Sequence, residues 1–184
     1  MKHLKATDYL RTPWKNGGGT TLEICRDHGT GLDGFGWRLS IADIAEGGPF
    51  STFEGYERII TVLEGAGMVL DVDNATSGPL HAYQPFAFSG ASHVHCSLID
   101  GPIRDFNLIY APERYRAKLR WLNAGAAQCL AESATTRVLF AAEAGVVVET
   151  NGNKLSLARH DCVILDGAAV RVSGHCALID LFKR

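Results

Sequence analysis

Few side chains in this 184-residue sequence are spaced for metal or nucleophilic chemistry. His93 and His95 lie two apart on a predicted strand, so both would project from one face and could chelate a metal ion. A metal site needs three or four ligands, and no third ligand falls beside this pair. Exposed or hydrogen-bonded histidines are therefore the favoured interpretation. The Gly-x-Ser-x-Gly elbow of serine hydrolases is absent.

The segment that leads into the first long apolar strand resembles the first conserved motif of the cupin superfamily. In that motif a His-x-His pair, a glutamate four residues after the second histidine and a glycine seven further on share one barrel wall. Thr52, Glu54 and Arg58 stand at the three ligand positions in this sequence, and Gly65 is retained. The spacing of the motif is thus kept while its metal-binding residue types are lost.

The second cupin motif ends in a glycine with a histidine three residues later, and Gly90 and His93 echo it weakly. Glu54 and His93 would be the only candidate metal ligands of the two motifs. The positive charge of Arg58 at a ligand position would repel a cation. We therefore expect this site to hold no metal ion and no other cofactor.

An inward-facing Arg58 would need an anionic partner, because a charge inside an apolar barrel is costly unless it is paired. Its planar guanidinium matches the geometry of a carboxylate or a phosphate. Two interpretations stay open. Either the cavity accepts a small carboxylate, or Arg58 forms a structural ion pair with Glu54 or Glu57.

A second unusual feature is the run Lys15-Asn16-Gly17-Gly18-Gly19. Three consecutive glycines are costly to order, which suggests a backbone that closely approaches something else. The run is not a phosphate-binding P-loop, because no Gly-Lys-Ser/Thr follows, and it does not open a helix as a dinucleotide fingerprint would. The physical alternative is a plain Asn-Gly hairpin turn.

The elements that would position these residues are strands. Short alternating or β-branched runs are separated by turns at Asn16-Gly17, Ser77-Gly78-Pro79 and Asn151-Gly152, a pattern typical of a sandwich or barrel. Residues 58–71 resemble residues 137–149, and each run is followed by another apolar strand, which indicates an internal duplication. With the cupin motif, this predicts an all-β fold of two tandem cupin-type (jelly-roll) barrels, a bicupin with little helix. The predicted domains are residues 1–112, which carry the candidate pocket, and residues 113–184.

Five motifs occur in order along the chain: Trp14-Lys15-Asn16-Gly17-Gly18-Gly19-Thr20-Thr21, Trp37-Arg38-Leu39-Ser40-Ile41-Ala42, residues 50–58, Gln84-Pro85-Phe86-Ala87-Phe88 and Asp105-Phe106-Asn107. Taken together, they resemble the HutD/Ves family across nearly the whole chain. The resemblance implies a bacterial bicupin without an established enzymatic activity. The HutD branch is linked to histidine utilisation, where it is thought to bind an intermediate such as N-formylglutamate and to restrain pathway expression. The Ves branch is associated with stress and cold induction, and the sequence does not choose between the branches.

Carried over residue by residue, the resemblance implies a ligand-binding site and no catalytic residue. Lys15 and Arg58 would offer charge to a carboxylate, and Asn16 and Asn107 could bond an amide or formyl group. A buried, satisfied amide is the alternative for Asn107. The residues that would line or support this pocket are Thr52, Trp14, Trp37, Arg38 and Phe106.

Composition narrows the class of protein further. Eighteen basic against twenty acidic residues give a net charge of −2, which does not favour binding to nucleic acid or to an anionic membrane. No transmembrane span or signal peptide is predicted, and five scattered cysteines fit a reducing cytoplasm. We expect a small-molecule carboxylate as partner and residues 113–184 to serve as a scaffold or a homodimer interface. The alternatives are a metal-independent enzyme acting on an acidic amino-acid derivative, with Glu54, Glu57 or His93 as general base, and a metal-dependent cupin enzyme.

Overall fold

The computed structural model describes residues 1–14, 17–31, 33–130, 134–165 and 169–184. Within these residues the chain forms seventeen β-strands and a single 3₁₀ turn, Ala6–Asp8, which confirms the predicted all-β class. No helix in this part of the chain has the length and apolar character needed to cross a membrane. In chain order the strands are β1 Lys2–Leu4, β2 Leu10–Pro13, β3 Gly19–Arg26, β4 Trp37–Ile44, β5 Gly48–Pro49, β6 Glu57–Glu64, β7 Met68–Val72, β8 Ala75–Leu80, β9 Phe86–Ser89, β10 Val94–Leu98, β11 Ile103–Tyr110, β12 Tyr115–Leu130, β13 Thr136–Ala141, β14 Val146–Thr150, β15 Asn153–Leu157, β16 Cys162–Leu165 and β17 Val170–Lys183.

The strands belong to two compact units. The N-terminal unit is Leu10–Arg114, and the C-terminal unit combines Met1–Tyr9 with Tyr115–Arg184. The first residues of the chain join the C-terminal unit because β1 pairs antiparallel with β16. The predicted cupin-type fold is present, and its C-terminal unit is built from two segments that are separate in the chain.

The N-terminal unit has two sheets. One has the strand order β2-β3-β4-β11-β6-β9 and the other β5-β10-β7-β8, and both contribute to one apolar core. Alternating residues of β4, β6 and β11 point into this core, as period-2 strand geometry requires. The buried core residues are Ala42, Ile44, Ile60, Val62, Met68, Leu70, Leu80, Phe88, Val94, Cys96 and Ile103.

The C-terminal unit is one curled sheet with the order β1-β16-β13-β17-β14-β15, and β12 pairs with the long β17. Its core again consists of alternating residues, among them Leu139, Val148, Val163 and Leu178. The duplication predicted from sequence is visible in the pairing. The strand β6 lies between β11 and β9, and its counterpart β13 lies between β17 and β16.

Candidate functional site

Polar side chains cluster inside the N-terminal unit because three neighbouring strands place them in successive rows of one sheet face. Arg58, Ile109 and Arg38 are paired in one row across β6, β11 and β4. Asn107 follows in the next row, beside Ile60 and Ser40, and Asp105 in the third, beside Val62 and Ala42. Since Ile60, Val62 and Ala42 belong to the core, the polar residues of this face also point inward.

Arg58 is almost completely buried, with 6% of its surface exposed. Its guanidinium carbon lies 5.4 Å from the ring centroids of Phe50 and Phe53 and 5.0 Å from that of Phe88. Nη1 donates to the carbonyl oxygen of Ser51 at 3.1 Å, while Nε has no hydrogen-bond partner within the described residues. Burial lowers the pKa of Arg58 to about 10, so that the side chain stays charged at neutral pH.

Neither glutamate proposed as a partner forms an ion pair with Arg58 in the part of the chain that the structure describes. Glu54 is exposed in a turn, and Glu57 neighbours Arg58 on β6, so its side chain leaves the opposite face of the sheet. No other carboxylate lies within ion-pair distance of Arg58 among these residues. The interpretation of a structural ion pair with Glu54 or Glu57 is therefore not supported by the geometry.

Asp105 is the buried carboxyl on the same sheet face as Arg58, and it was not among the site residues predicted from the sequence. The residue is 1% exposed, and its Oδ1 atom lacks a hydrogen-bond partner among the described residues. Burial raises the pKa of Asp105 to about 7, an effect that the attraction of Arg58 only partly offsets. A signal was present, since Asp105 lies two residues before Asn107 on a predicted strand and must share its face.

Asn107 is 7% exposed and points into the same interior. Its Oδ1 atom is the third buried polar atom for which the described residues supply no hydrogen-bond partner, after Arg58 Nε and Asp105 Oδ1. Native proteins rarely leave such atoms unpaired, so these three atoms on one inner sheet face are candidates for pairing with water or with a polar ligand. The expectation of a satisfied amide at Asn107 does not match this arrangement.

Arg38 lies in the same row of the sheet as Arg58, but its side chain is paired within the protein. Its Nε atom donates to Glu23 Oε2 at 2.8 Å, and Arg26 Nε donates to Glu23 Oε1 at 2.6 Å. Burial alone would raise the pKa of Glu23, but the hydrogen bonds from Arg26 and Arg38 keep it below its ordinary value. Glu23 therefore stays ionised and neutralises part of the positive charge beside Arg58.

The remaining predicted site residues are dispersed. Trp14 packs against the core of the N-terminal unit and donates from Nε1 to Thr21 Oγ1 at 2.8 Å, and Thr52 is exposed. Trp37 and Phe106 are buried on the sheet face opposite Arg58, because each neighbours an inward-facing residue on its strand. Lys15 and Asn16 lie outside the described residues.

Of the glycine run, the structure describes residues 17–19, and Gly19 begins β3, which pairs antiparallel with β2. The backbone of Gly19 makes a close approach, since a Cβ atom there would lie 2.6 Å from the carbonyl oxygen of Asp43 and 2.9 Å from the Trp14 ring. This approach is to residues of the chain itself, and Asn16 of the expected Asn-Gly turn lies outside the described residues.

The residues echoing the metal-binding cupin motifs do not converge. His93 and His95 are exposed and alternate with the inward-facing Val94 and Cys96, so they point away from Arg58. Across the described ranges, no group of three His, Cys, Asp or Glu side chains is placed to hold a metal ion.

The C-terminal unit contains an arginine at the repeat position of Arg58, but this one is paired. Arg137 Nε donates to Asp180 Oδ1 at 2.7 Å, and both residues are at least 95% buried. Arg137 and Asp180 face each other across β13 and β17, just as Arg58 and Ile109 do across β6 and β11. This buried pair was not predicted from the sequence, because a contact between residues 43 apart in the chain is not visible in a local pattern.

Residues 6–179 match the family model described as HutD. The chain belongs to the HutD family. A protein of Pseudomonas putida, described as an uncharacterized 21.2 kDa protein in the hutC 3′ region, is 55% identical over 100% of this chain and 98% of its own length. Protein Ves of Citrobacter koseri is 44% identical over 58% of this chain and 56% of its own length.

Solved structures agree with this membership. The structure of HutD from Pseudomonas fluorescens SBW25, in a formate condition, has a TM-score of 0.89 at 53% identity and covers 100% of this HutD-family chain and 98% of its own. Protein YlbA from E. coli has a TM-score of 0.71 at 9% identity, with 99% and 90% coverage, and at that identity shows only the shared cupin-type fold.

Proposed function

We propose that this HutD-family protein binds a small carboxylate in the N-terminal unit, with Arg58 as the anchoring cation, and acts without a metal ion. The observation that carries the proposal is the contrast between the two repeats. Arg137 faces Asp180, whereas Arg58 faces Ile109 at the same register position. A ligand carboxylate would give Arg58 a negatively charged hydrogen-bond acceptor, as the carboxylate of Asp180 does for Arg137.

The energetics favour an external anion over an empty cavity. A buried guanidinium keeps only part of the hydration energy it has in water, and a carboxylate accepting a charge-assisted hydrogen bond contributes about 1.5–3 kcal/mol. The rings of Phe50, Phe53 and Phe88 surround the cation and keep water from competing for it. A small anion that fits between these rings therefore gains a strong contact.

N-formylglutamate is the ligand that we propose to test first, and modulation of histidine utilisation the role. Support comes from family membership and from the relative described as lying in the hutC 3′ region. N-formylglutamate carries two carboxylates for the cations of the cavity and a formamide for Asn107. A binding protein of this kind would report the level of a pathway intermediate rather than convert it.

A metal-independent enzyme is the second candidate, and Asp105 is the observation that favours it. A buried carboxyl whose pKa is near 7 has the property expected of a general base. The previously considered bases Glu54 and His93 are exposed and do not face Arg58. Following N-formylglutamate by NMR in the presence of catalytic amounts of the protein separates the two functions, since only an enzyme makes product signals appear over time.

The deciding experiment is a thermal-shift series with N-formylglutamate, formiminoglutamate, urocanate, histidine and glutamate, followed by calorimetry. A ligand at about 100 times its dissociation constant adds roughly 2.7 kcal/mol of stability, which corresponds to about 5–11 °C for a chain of this size. We expect Arg58→Met to remove the shift, while Arg11→Gln, a change at an exposed arginine of the same unit, retains it. A shift that survives Arg58→Met, or no shift with any of these compounds, contradicts the proposal.

A further inference from the structure

The long strand β12 forms an edge of the C-terminal sheet. It pairs antiparallel with β17 along one side, and no strand of the described residues pairs with its other side. The pairing with β17 runs without a register shift from Tyr115 to Ala124. At alternate residues the backbone N–H and C=O groups of an edge strand point away from the sheet, so this edge can accept a further strand.

Three exposed cations follow this edge at every second residue. Arg116, Lys118 and Arg120 extend from one sheet face, because the side chains of a strand alternate between its two faces. Neighbouring cations of this row are therefore spaced about 7 Å apart along the strand. Of the β17 residues that lie opposite the three cations, only Asp180 is acidic.

Asp180 does not neutralise this row, because it also serves a buried arginine. Its carboxylate accepts a hydrogen bond from Arg137 Nε at 2.7 Å, whereas Arg120 Nη2 lies 3.5 Å away. Among the residues that the structure describes, no carboxylate forms an ion pair with Arg116 or Lys118. This face therefore has an excess of positive charge, although the whole chain has a net charge of −2.

The opposite face of the same edge is apolar. Ala117, Leu119 and Trp121 alternate with the cations, and all three are half-buried. Trp121 packs edge-on against the ring of Phe140, with the two centroids 6.5 Å apart, so its position is fixed by the core of the unit. A strand that adds to this edge meets cations on one face and apolar side chains on the other.

We propose that the edge of β12 binds an extended segment of a partner protein in which acidic and apolar residues alternate. The carboxylates of that segment would match the spacing of the three cations, and its apolar residues would lie beside Leu119 and Trp121. Strand addition of this kind takes its affinity from main-chain hydrogen bonds and its specificity from alternate side chains. The inference concerns a separate surface and does not depend on carboxylate binding at Arg58.

A second copy of this chain is a poorer occupant of the edge. Antiparallel pairing of two β12 strands would place the cations of one row opposite those of the other, and like charges directly opposite each other are destabilising. Charged side chains protect edge strands from pairing with themselves in this way. The same row therefore disfavours an identical strand and selects an oppositely charged one.

NMR titration of the full-length protein with two acetylated and amidated heptapeptides tests the inference. One has the sequence Thr-Glu-Val-Glu-Val-Glu-Thr, and the other has the same composition with its glutamates in a block, Val-Val-Glu-Glu-Glu-Thr-Thr. We expect the alternating peptide to bind at least fivefold more tightly and to slow amide exchange at alternate residues within 115–122. Arg116→Gln combined with Lys118→Gln should weaken its binding at least fivefold. Lys5→Gln combined with Lys154→Gln, the same charge change at two exposed lysines of the C-terminal unit, should not.

Equal affinity of the two peptides overturns the inference, as does binding that the double variant of Arg116 and Lys118 leaves unchanged. A homodimer that the alternating peptide dissociates would identify a second copy as the occupant, and sedimentation measures this. Perturbation of the same β12 amides by an oligothymidylate at equal concentration would assign the surface to phosphates instead of a peptide. None of these outcomes bears on the binding of N-formylglutamate, which the Arg58→Met variant tests separately.

Discussion

Arg58 and Arg137 occupy equivalent positions in the two repeats, yet only Arg137 has a carboxylate opposite it. The partner strand offers Asp180 to Arg137 and Ile109 to Arg58. Both arginines are buried, and they differ in the charge of the residue that faces each of them across the strand pair. The two repeats thus contain the same buried arginine, paired with a carboxylate in the C-terminal unit and facing an isoleucine in the N-terminal unit.

Ile109→Asp should give Arg58 a facing carboxylate like the one that Arg137 already has. An aspartate at this register position can pair with Arg58 as Asp180 pairs with Arg137, and it would then compete with an external carboxylate. We expect the affinity for N-formylglutamate, measured by calorimetry, to fall at least a hundredfold while the thermal transition stays cooperative. Ile109→Asn is the uncharged control, and equal loss in both variants would show that shape rather than charge is responsible.

Asp105→Asn should stabilise the protein at high pH and much less at low pH. The pKa of Asp105 is raised to about 7 in the folded protein, so its ionisation costs stability as pH rises from about 4 to 7. We expect the difference in the free energy of unfolding between the variant and the wild type to be at least about 1 kcal/mol larger at pH 8 than at pH 4.5. This corresponds to roughly 2–4 °C in Tm. Urea unfolding at both pH values measures this. Asp71→Asn at an exposed position is the control, and a gain at pH 4.5 as large as that at pH 8 would refute the assignment.

Gly90→Ala should disturb the loop that holds an aromatic ring against Arg58. Gly90 exchanges hydrogen bonds with this loop, from Phe53 N to its carbonyl and from its own N to the Tyr56 carbonyl, both at 2.7 Å. An added Cβ would lie 2.5 Å from the carbonyl oxygen of Phe53, a backbone atom that cannot move independently. We expect a loss of about 1–3 kcal/mol in urea unfolding, and weaker carboxylate binding. Gly48→Ala, which has open space around it, should change neither quantity.

Asp161→Asn should loosen the attachment of the first residues to the C-terminal unit. The Asp161 carboxylate accepts hydrogen bonds from His3 Nε2 at 2.8 Å, Ala6 N at 2.9 Å and Ala158 N at 3.2 Å. Burial works against ionisation, but these bonds lower the pKa of Asp161, so its contribution is present at neutral pH and is lost as pH falls through the lowered pKa. We expect urea unfolding to give the variant a free energy of unfolding about 1–3 kcal/mol below that of the wild type at pH 7, and a smaller difference at pH 3. Asp8→Asn is the exposed control, and an equal deficit at both pH values would contradict this account.

The sequence predicted the all-β fold from its strand and turn pattern together with the cupin-motif resemblance, and Arg58 was selected because it stands at a ligand position of that motif. Whether Arg58 points inward stayed open at that stage, and the structure places it on the same sheet face as Ile60 and Val62. Adjacent residues of a strand point to opposite faces of the sheet. Trp37 therefore lies on the opposite face from Arg38, and Phe106 on the opposite face from Asn107.

The parts that sequence did not predict depend on register between distant strands. Nothing local indicates that Ile109 faces Arg58 or that Asp180 faces Arg137. The role of Asp105 likewise depends on its complete burial, which comes from the packing of two sheets around it. A carboxyl in an apolar strand was visible in the sequence, but its altered acidity was not.

The pairing of β1 with β16 also has a consequence for biosynthesis. His3 meets Asp161 across 158 residues of sequence, so the opening segment emerges from the ribosome long before its partner strand is made. Leu10–Arg114 has all of its own strands available earlier and can fold while the C-terminal half is still being translated. The C-terminal unit is complete only after β16 has been made and has paired with β1, which closes a long loop. We therefore expect the C-terminal unit to fold later and more slowly than Leu10–Arg114.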